Sequence, residues 1–116
     1  MKALHLCAGV NALKYSLWSE IYDECISYEL DKFARQTLEI NTQDTIKEDV
    51  YDLTLEELAC DLLIMGFPCQ SFSIQNTKRE GLKSKRGAII QHVLNMISEA
   101  PKKPSLIILE NVVGIR

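Results

Sequence analysis

Residues 61–73 read DLLIMGFPCQSFS. Leu62–Met65 is an apolar run without polar alternation, closed by Gly66 and Pro68. A short run of this kind, bounded by turn residues, is the pattern of a strand buried on both faces. The strand is read over Asp61–Met65. A cysteine, Cys69, then follows Pro68 on a loop of Gly, Pro, Gln and Ser. A buried strand fixes where such a loop begins, and the proline stiffens it. A thiol in this place is held in a defined direction.

Working outward, strand-like and helix-like stretches alternate. Ala3–Cys7, Glu24–Tyr28, Thr45–Lys47 and Ser105–Leu109 read as four further strands. Ala12–Ile21 has helical spacing in Leu13, Leu17, Trp18 and Ile21. Asp31–Glu39 reads as a helix with Phe33, Ala34, Thr37 and Leu38 on its apolar face. Thr54 is placed to cap one helical turn over Leu55–Leu58. Gly87–Glu99 reads as a helix with Ile89, Ile90, Val93, Leu94 and Ile97 inward, ended by Pro101. Alternating β and α with unalternated strands predicts an α/β fold whose parallel sheet is covered by helices. Sheets of this type bind ligands at the carboxyl ends of their strands.

The chemically distinctive residues fall at those ends: Ala8-Gly9, Glu29, Asp49, Cys69 and Glu110-Asn111. Each also has an ordinary reading. Cys69 is a nucleophile if its loop exposes and polarises the thiol, and otherwise a turn cysteine. Glu110 follows a run of apolar residues, so it is expected to be partly desolvated and able to donate a proton; it is equally a helix cap or a solvated strand end. Glu29 stands where nucleotide cofactors place an acid for ribose hydroxyls, although Glu29 or Asp31 also suits a helix cap. The single glycine of Ala8-Gly9-Val10 is weak evidence for a cofactor turn. The run KREGLKSKR, 78–86, is either a phosphate-gripping loop or a solvated one.

Composition sets the bounds. The chain has 116 residues, 47% hydrophobic and 25% charged, with a net charge of −3. That is enough for one domain with one modest core. The charge argues against a strong free-standing nucleic-acid binder. The four cysteines, Cys7, Cys25, Cys60 and Cys69, show no CxxC spacing. Neither a metal site nor a redox pair is suggested, and the first three are expected to be reduced core residues. No apolar stretch has the length of a membrane span. A cytoplasmic location without membrane association is expected.

Taken together, the segments resemble the cytosine-C5 DNA methyltransferase family. GFPCQSFS (66–73) is similar to its nucleophile motif and ENVVG (110–114) to its second catalytic motif. YELDKFARQTLEIN (28–41) resembles its cofactor-acid segment, and GLKSKRG (81–87) the loop and helix start between the catalytic motifs. The resemblance implies a Rossmann-like methyltransferase sheet with order 3-2-1-4-5, S-adenosylmethionine as donor and DNA as partner. Cys69, behind Pro68, would attack C6 of a flipped cytosine, Glu110 would bond or protonate N3, and Asn111 would steady the loop. Glu29 would hold the donor ribose and Asp49 its adenine, within a pocket of Cys7, Ala8, Gly9, Leu30, Val50 and Gly66. Gln70, Ser71, Ser73, Lys78, Arg79, Lys83, Lys85 and Arg86 would face DNA.

Two departures accompany it. The family's first motif is Gly-rich with an aromatic, and HLCAGVNA (5–12) has Cys7, Asn11 and Ala12 at the matching positions. A Cβ there would crowd the donor, so weakened binding is expected. The second is extent: 1–116 reads as a single partial catalytic domain without the target-recognition region. A complementing chain, or self-association through the edge of 105–109, is therefore expected. The alternative is a non-enzymatic binding module that keeps the fold without donor binding. A thiol enzyme of another kind is opposed by the lack of a His or second Cys near Cys69.

Overall fold

The computed structural model describes residues 1–9, 22–66 and 87–110. Five strands, β1 (Lys2–Leu6), β2 (Glu24–Tyr28), β3 (Thr45–Lys47), β4 (Leu62–Gly66) and β5 (Leu106–Glu110), form one sheet. Their order is β3-β2-β1-β4-β5, and every pairing is parallel. This is the expected sheet. The helix expected over Ala12–Ile21 lies outside the described residues.

The central strands are buried on both faces, which is why their sequences do not alternate. Leu4, Leu6, Tyr28, Leu63 and Met65 pack with Ile90 and Val93 in one core. Ala3, Cys25, Leu62 and Ile64 form the other. Cys25 and Cys60 are buried and Cys7 is half-buried.

Strand ends shift by one residue from the expected bounds. β1 stops at Leu6 rather than Cys7 because Cys7 turns to φ +55°, which ends the extended ladder. β4 and β5 each run one residue further, since Gly66 pairs in register with Glu110.

Helix α1 spans Lys32–Asn41, with Asp31 as N-cap: its carboxylate accepts from Phe33 N. Ala34 and Leu38 are buried, one turn apart. Phe33, expected on the inner face, is 74% exposed. It sits about 100° around the helix from Ala34, and the helix rests on the sheet along a narrow seam. Helix α2 spans Gly87–Glu99 and buries Ile90 and Val93, while Leu94 faces outward. Lys103 Nζ folds back to donate to the carbonyls of Ile97, Ser98 and Ala100, which the helix end leaves without partners.

A short 3-10 helix, Val50–Asp52, follows β3. Beyond it, Thr54 and Glu57 cap each other: Glu57 N donates to Thr54 Oγ1, and Thr54 N donates to Glu57 Oε1. Tyr28 and Lys47 donate to the same carboxylate, locking this turn to β2 and β3. Among the described residues, no helix is long and apolar enough to cross a membrane.

Candidate functional site

The carboxyl ends of all five strands point to one side of the sheet, and that side gathers the described candidates. After β1 the chain turns through Cys7 and Gly9, at φ +55° and +59°. The turn is tied to the neighbouring strand by Ala8 N, which donates to Tyr28 O at 3.0 Å. Gly9 N donates to Glu29 Oε1 at 2.7 Å, and Asp31 N to Glu29 Oε2 at 2.8 Å. Glu29 N in turn donates to Lys47 O at 2.9 Å. One carboxylate therefore joins the turns after β1 and β2, and its backbone joins β2 to β3.

Each Glu29 oxygen has a second lone pair to offer, so two adjacent hydroxyls could still bond it. A Cβ built on Gly9 would meet no atom of the described residues within 4 Å, so they leave the space above this turn open. Asp49 caps the 3-10 helix through Oδ1, which accepts from Tyr51 N at 2.9 Å. Its other oxygen has no partner among the described residues. Val50 is buried beneath it and Leu30 is 67% exposed. Glu29, Leu30 and Asp49 thus follow β2 and β3 at the same end of the sheet as the turn at Gly9.

Cys7 is a poor nucleophile. Burial, reinforced by the negative charge of Glu29, pushes its thiol up to about 12. Its carbonyl lies 3.8 Å from where a Cβ on Gly66 would stand. Glu110 Oε2 lies 3.4 Å from that point. The bare strand end at Gly66 thus lets the Glu110 carboxylate lean over β4 towards the turn after β1. Glu110 itself is exposed, in keeping with the solvated strand end of its two readings, since β5 is the outer strand among the described residues.

Pro68, Cys69, Gln70, Ser71, Ser73, Lys78, Arg79, Lys83, Lys85, Arg86 and Asn111 lie outside the described residues, as do Asn11 and Ala12. Nothing in the sequence singles out Arg35, yet its Nη1 donates to the carbonyls of both Glu29 and Leu30. A groove of about 800 Å³ lies elsewhere, lined by Lys2, Asp23, Glu24, Asp44 and Glu57 among others. It includes none of Cys7, Gly9, Glu29, Gly66 and Glu110 and is not this site.

The family model of C-5 cytosine-specific DNA methylases matches residues 1–116. Type II methyltransferase M.DsaV of Dactylococcopsis salina is 32% identical over all of this chain, which spans 32% of that protein. Type II methyltransferase M.BsuFI of Bacillus subtilis is 35% identical over 97% of the chain, which spans 27% of it. The chain thus covers 27–32% of the length of these relatives. Among solved structures, the PH0226 protein from Pyrococcus horikoshii OT3 superposes with a TM-score of 0.58 at 18% identity, covering 95% of this chain and 48% of that one. The glycopeptide N-methyltransferase MtfA, complexed with sinefungin, superposes with a TM-score of 0.55 at 14% identity, over 93% of this chain and 45% of its own. The fold is the Rossmann-like methyltransferase fold, and by the match over its whole length the chain belongs to the C-5 cytosine-specific DNA methylases.

Proposed function

We propose that these residues form the donor-binding and nucleophile-bearing part of a DNA cytosine-C5 methyltransferase. The observation that carries the reading is the meeting of Gly9, Glu29, Gly66 and Glu110 at one end of the sheet, within a chain matched throughout by the family model. S-adenosylmethionine supplies an electrophilic methyl group. Glu29 would bond the ribose hydroxyls, Asp49 the adenine amino group, and Leu30 and Val50 would enclose the base.

The chain's own chemistry falls to two residues. The Cys69 thiolate forms a bond to C6 of a cytosine turned out of the duplex. Glu110 bonds or protonates N3, which draws the ring electrons away and lets the addition proceed. C5 then carries electron density and takes the methyl group, the broken methyl–sulfur bond leaving its electron pair on the donor's sulfur as a neutral thioether. Loss of the C5 proton expels the thiolate and restores the aromatic ring. Pro68 stiffens the approach to the nucleophile and Asn111 steadies its loop. Gln70, Ser71, Ser73 and the basic residues of 78–86 would contact the DNA.

The relatives' much greater length supports assigning target recognition to a segment or second chain outside these residues. The test uses the full-length protein. It should bind S-adenosylmethionine in a calorimeter, and it should be trapped covalently on DNA that carries a mechanism-based cytosine analogue. Cys69→Ser should abolish the trapping. Trapping that survives this change removes Cys69 from the mechanism, and a protein that binds no donor favours the non-enzymatic reading.

A further inference from the structure

We propose that Arg35 is a positioning residue for the methyl donor, acting through Glu29 and the segment before Asp49. The proposal rests on the donor-binding reading above. Arg35 lies one turn into α1, and its side chain is only 20% exposed. It reaches back past the helix start instead of out to solvent. Nη1 donates to Glu29 O at 3.0 Å and to Leu30 O at 2.6 Å. The same nitrogen stands 3.8 Å from Glu48 Oε1. Glu48 directly precedes Asp49.

The two carbonyls precede the N-cap Asp31, so α1 offers them no amide. Without Arg35 they would turn to water. With it, the backbone of Glu29 is held from both sides: its N–H by Lys47 O and its C=O by the guanidinium. The carboxylate is then fixed at its own end by Gly9 N and Asp31 N. A ribose-binding acid held this way loses little freedom when the ligand arrives. The attraction to Glu48 extends the hold to the end of β3, so one cation joins the two segments that carry the donor's acids. A planar guanidinium suits this shared task, and an ammonium serves part of it.

The test compares Arg35→Met, which keeps most of the apolar stem, with Arg35→Lys in the full-length protein. Affinity for S-adenosylmethionine should fall about tenfold in Arg35→Met and recover in part in Arg35→Lys. The methyl-transfer rate at saturating donor should match the parent. Amide exchange without donor should quicken at Gly9 and Asp31 in Arg35→Met and stay unchanged in β1 and β4. An Arg35→Met variant that binds like the parent overturns the proposal. So does equal loss in both variants together with faster exchange in β1 and β4, since that marks a general structural role. If the parent binds no donor, the donor reading fails by itself. The exchange arm then decides alone, and unchanged protection at Gly9 and Asp31 overturns the role of Arg35.

Discussion

Gly66 and Glu110 stand opposite each other at the ends of β4 and β5, and a Cβ on Gly66 would lie 3.4 Å from Glu110 Oε2. The carboxylate occupies the near edge of the space that a larger residue would need. Gly66→Ala would place its Cβ in ordinary contact with that oxygen and is expected to fold within about 1 kcal/mol of the parent, whereas the two γ-methyls of Gly66→Val reach further and would push the exposed Glu110 side chain aside. The shifted carboxylate would no longer meet the base in the same place. Covalent trapping of Gly66→Val on analogue DNA should slow by roughly tenfold or more, since small misplacements of a reacting group are costly. Trapping at the parental rate would show that the position of Glu110 is not set by Gly66.

His92, on α2, stacks against Tyr51 of the 3-10 helix with ring centroids 4.6 Å apart. Its Nε2 is buried and has no hydrogen-bond partner among the described residues. A buried polar atom without a partner costs about 1–3 kcal/mol of desolvation. His92→Phe keeps a ring against Tyr51 and removes that atom. It should raise stability by about 1 kcal/mol in chemical denaturation. A loss of stability would mean that Nε2 finds a partner in solution.

The Tyr28–Glu57–Lys47 cluster contributes stability that depends on pH. Burial pushes the Glu57 carboxyl up, but donors from Lys47, Thr54 and Tyr28 outweigh it and leave its pKa below the ordinary 4.5. Its contribution is therefore present above pH 4.5 and lost as pH falls through the lower folded value. Burial, aided by the bond to Glu57, raises the Tyr28 pKa above its ordinary 10.0. That contribution is present below pH 10.0 and lost as pH rises through the folded value. Tyr28→Phe should cost about 1 kcal/mol at neutral pH. The gap between variant and parent should narrow at both acid and alkaline ends. A gap independent of pH would show that the hydroxyl and carboxylate are not coupled.

The sheet was readable because burial leaves a direct mark: Leu62–Met65 and Ala3–Leu6 carry apolar residues on both faces, and two-sided burial requires them. Where residue type and strand end coincide, as at Glu29 and Glu110, the side chains that the sheet brings to its carboxyl end were readable too. Other features leave weaker marks. The left-handed turn at Cys7 is one, since positive φ is normally signalled by glycine. Phe33 carries an apolar side chain outward, and periodicity alone cannot separate it from its inward neighbour Ala34. Lys103 and Arg35 are long cations in polar surroundings. Only the folded chain shows that each reaches back to carbonyls that a helix leaves unbonded.

Strand β5 carries the final prediction. Among the described residues it pairs only with β4, so its other edge presents backbone N–H and C=O groups. Its side chains are exposed on both faces. Leu106 is 52% exposed on the side of Leu62, and Ile107 and Leu109 are 39% and 52% exposed on the side of Leu63 and Met65. An open edge flanked by apolar side chains is a template for another strand. Expressed as these 116 residues alone, the chain is expected to self-associate, with sedimentation coefficients that rise with concentration. Leu109→Lys places a charge on that edge, as edge strands use to resist pairing, and should shift the protein towards monomer. A strand supplied in trans, from the segments that the longer relatives possess, should compete with self-association and raise the melting temperature. A parent chain that stays monomeric at high concentration and melts cooperatively would show that β5 is covered from within.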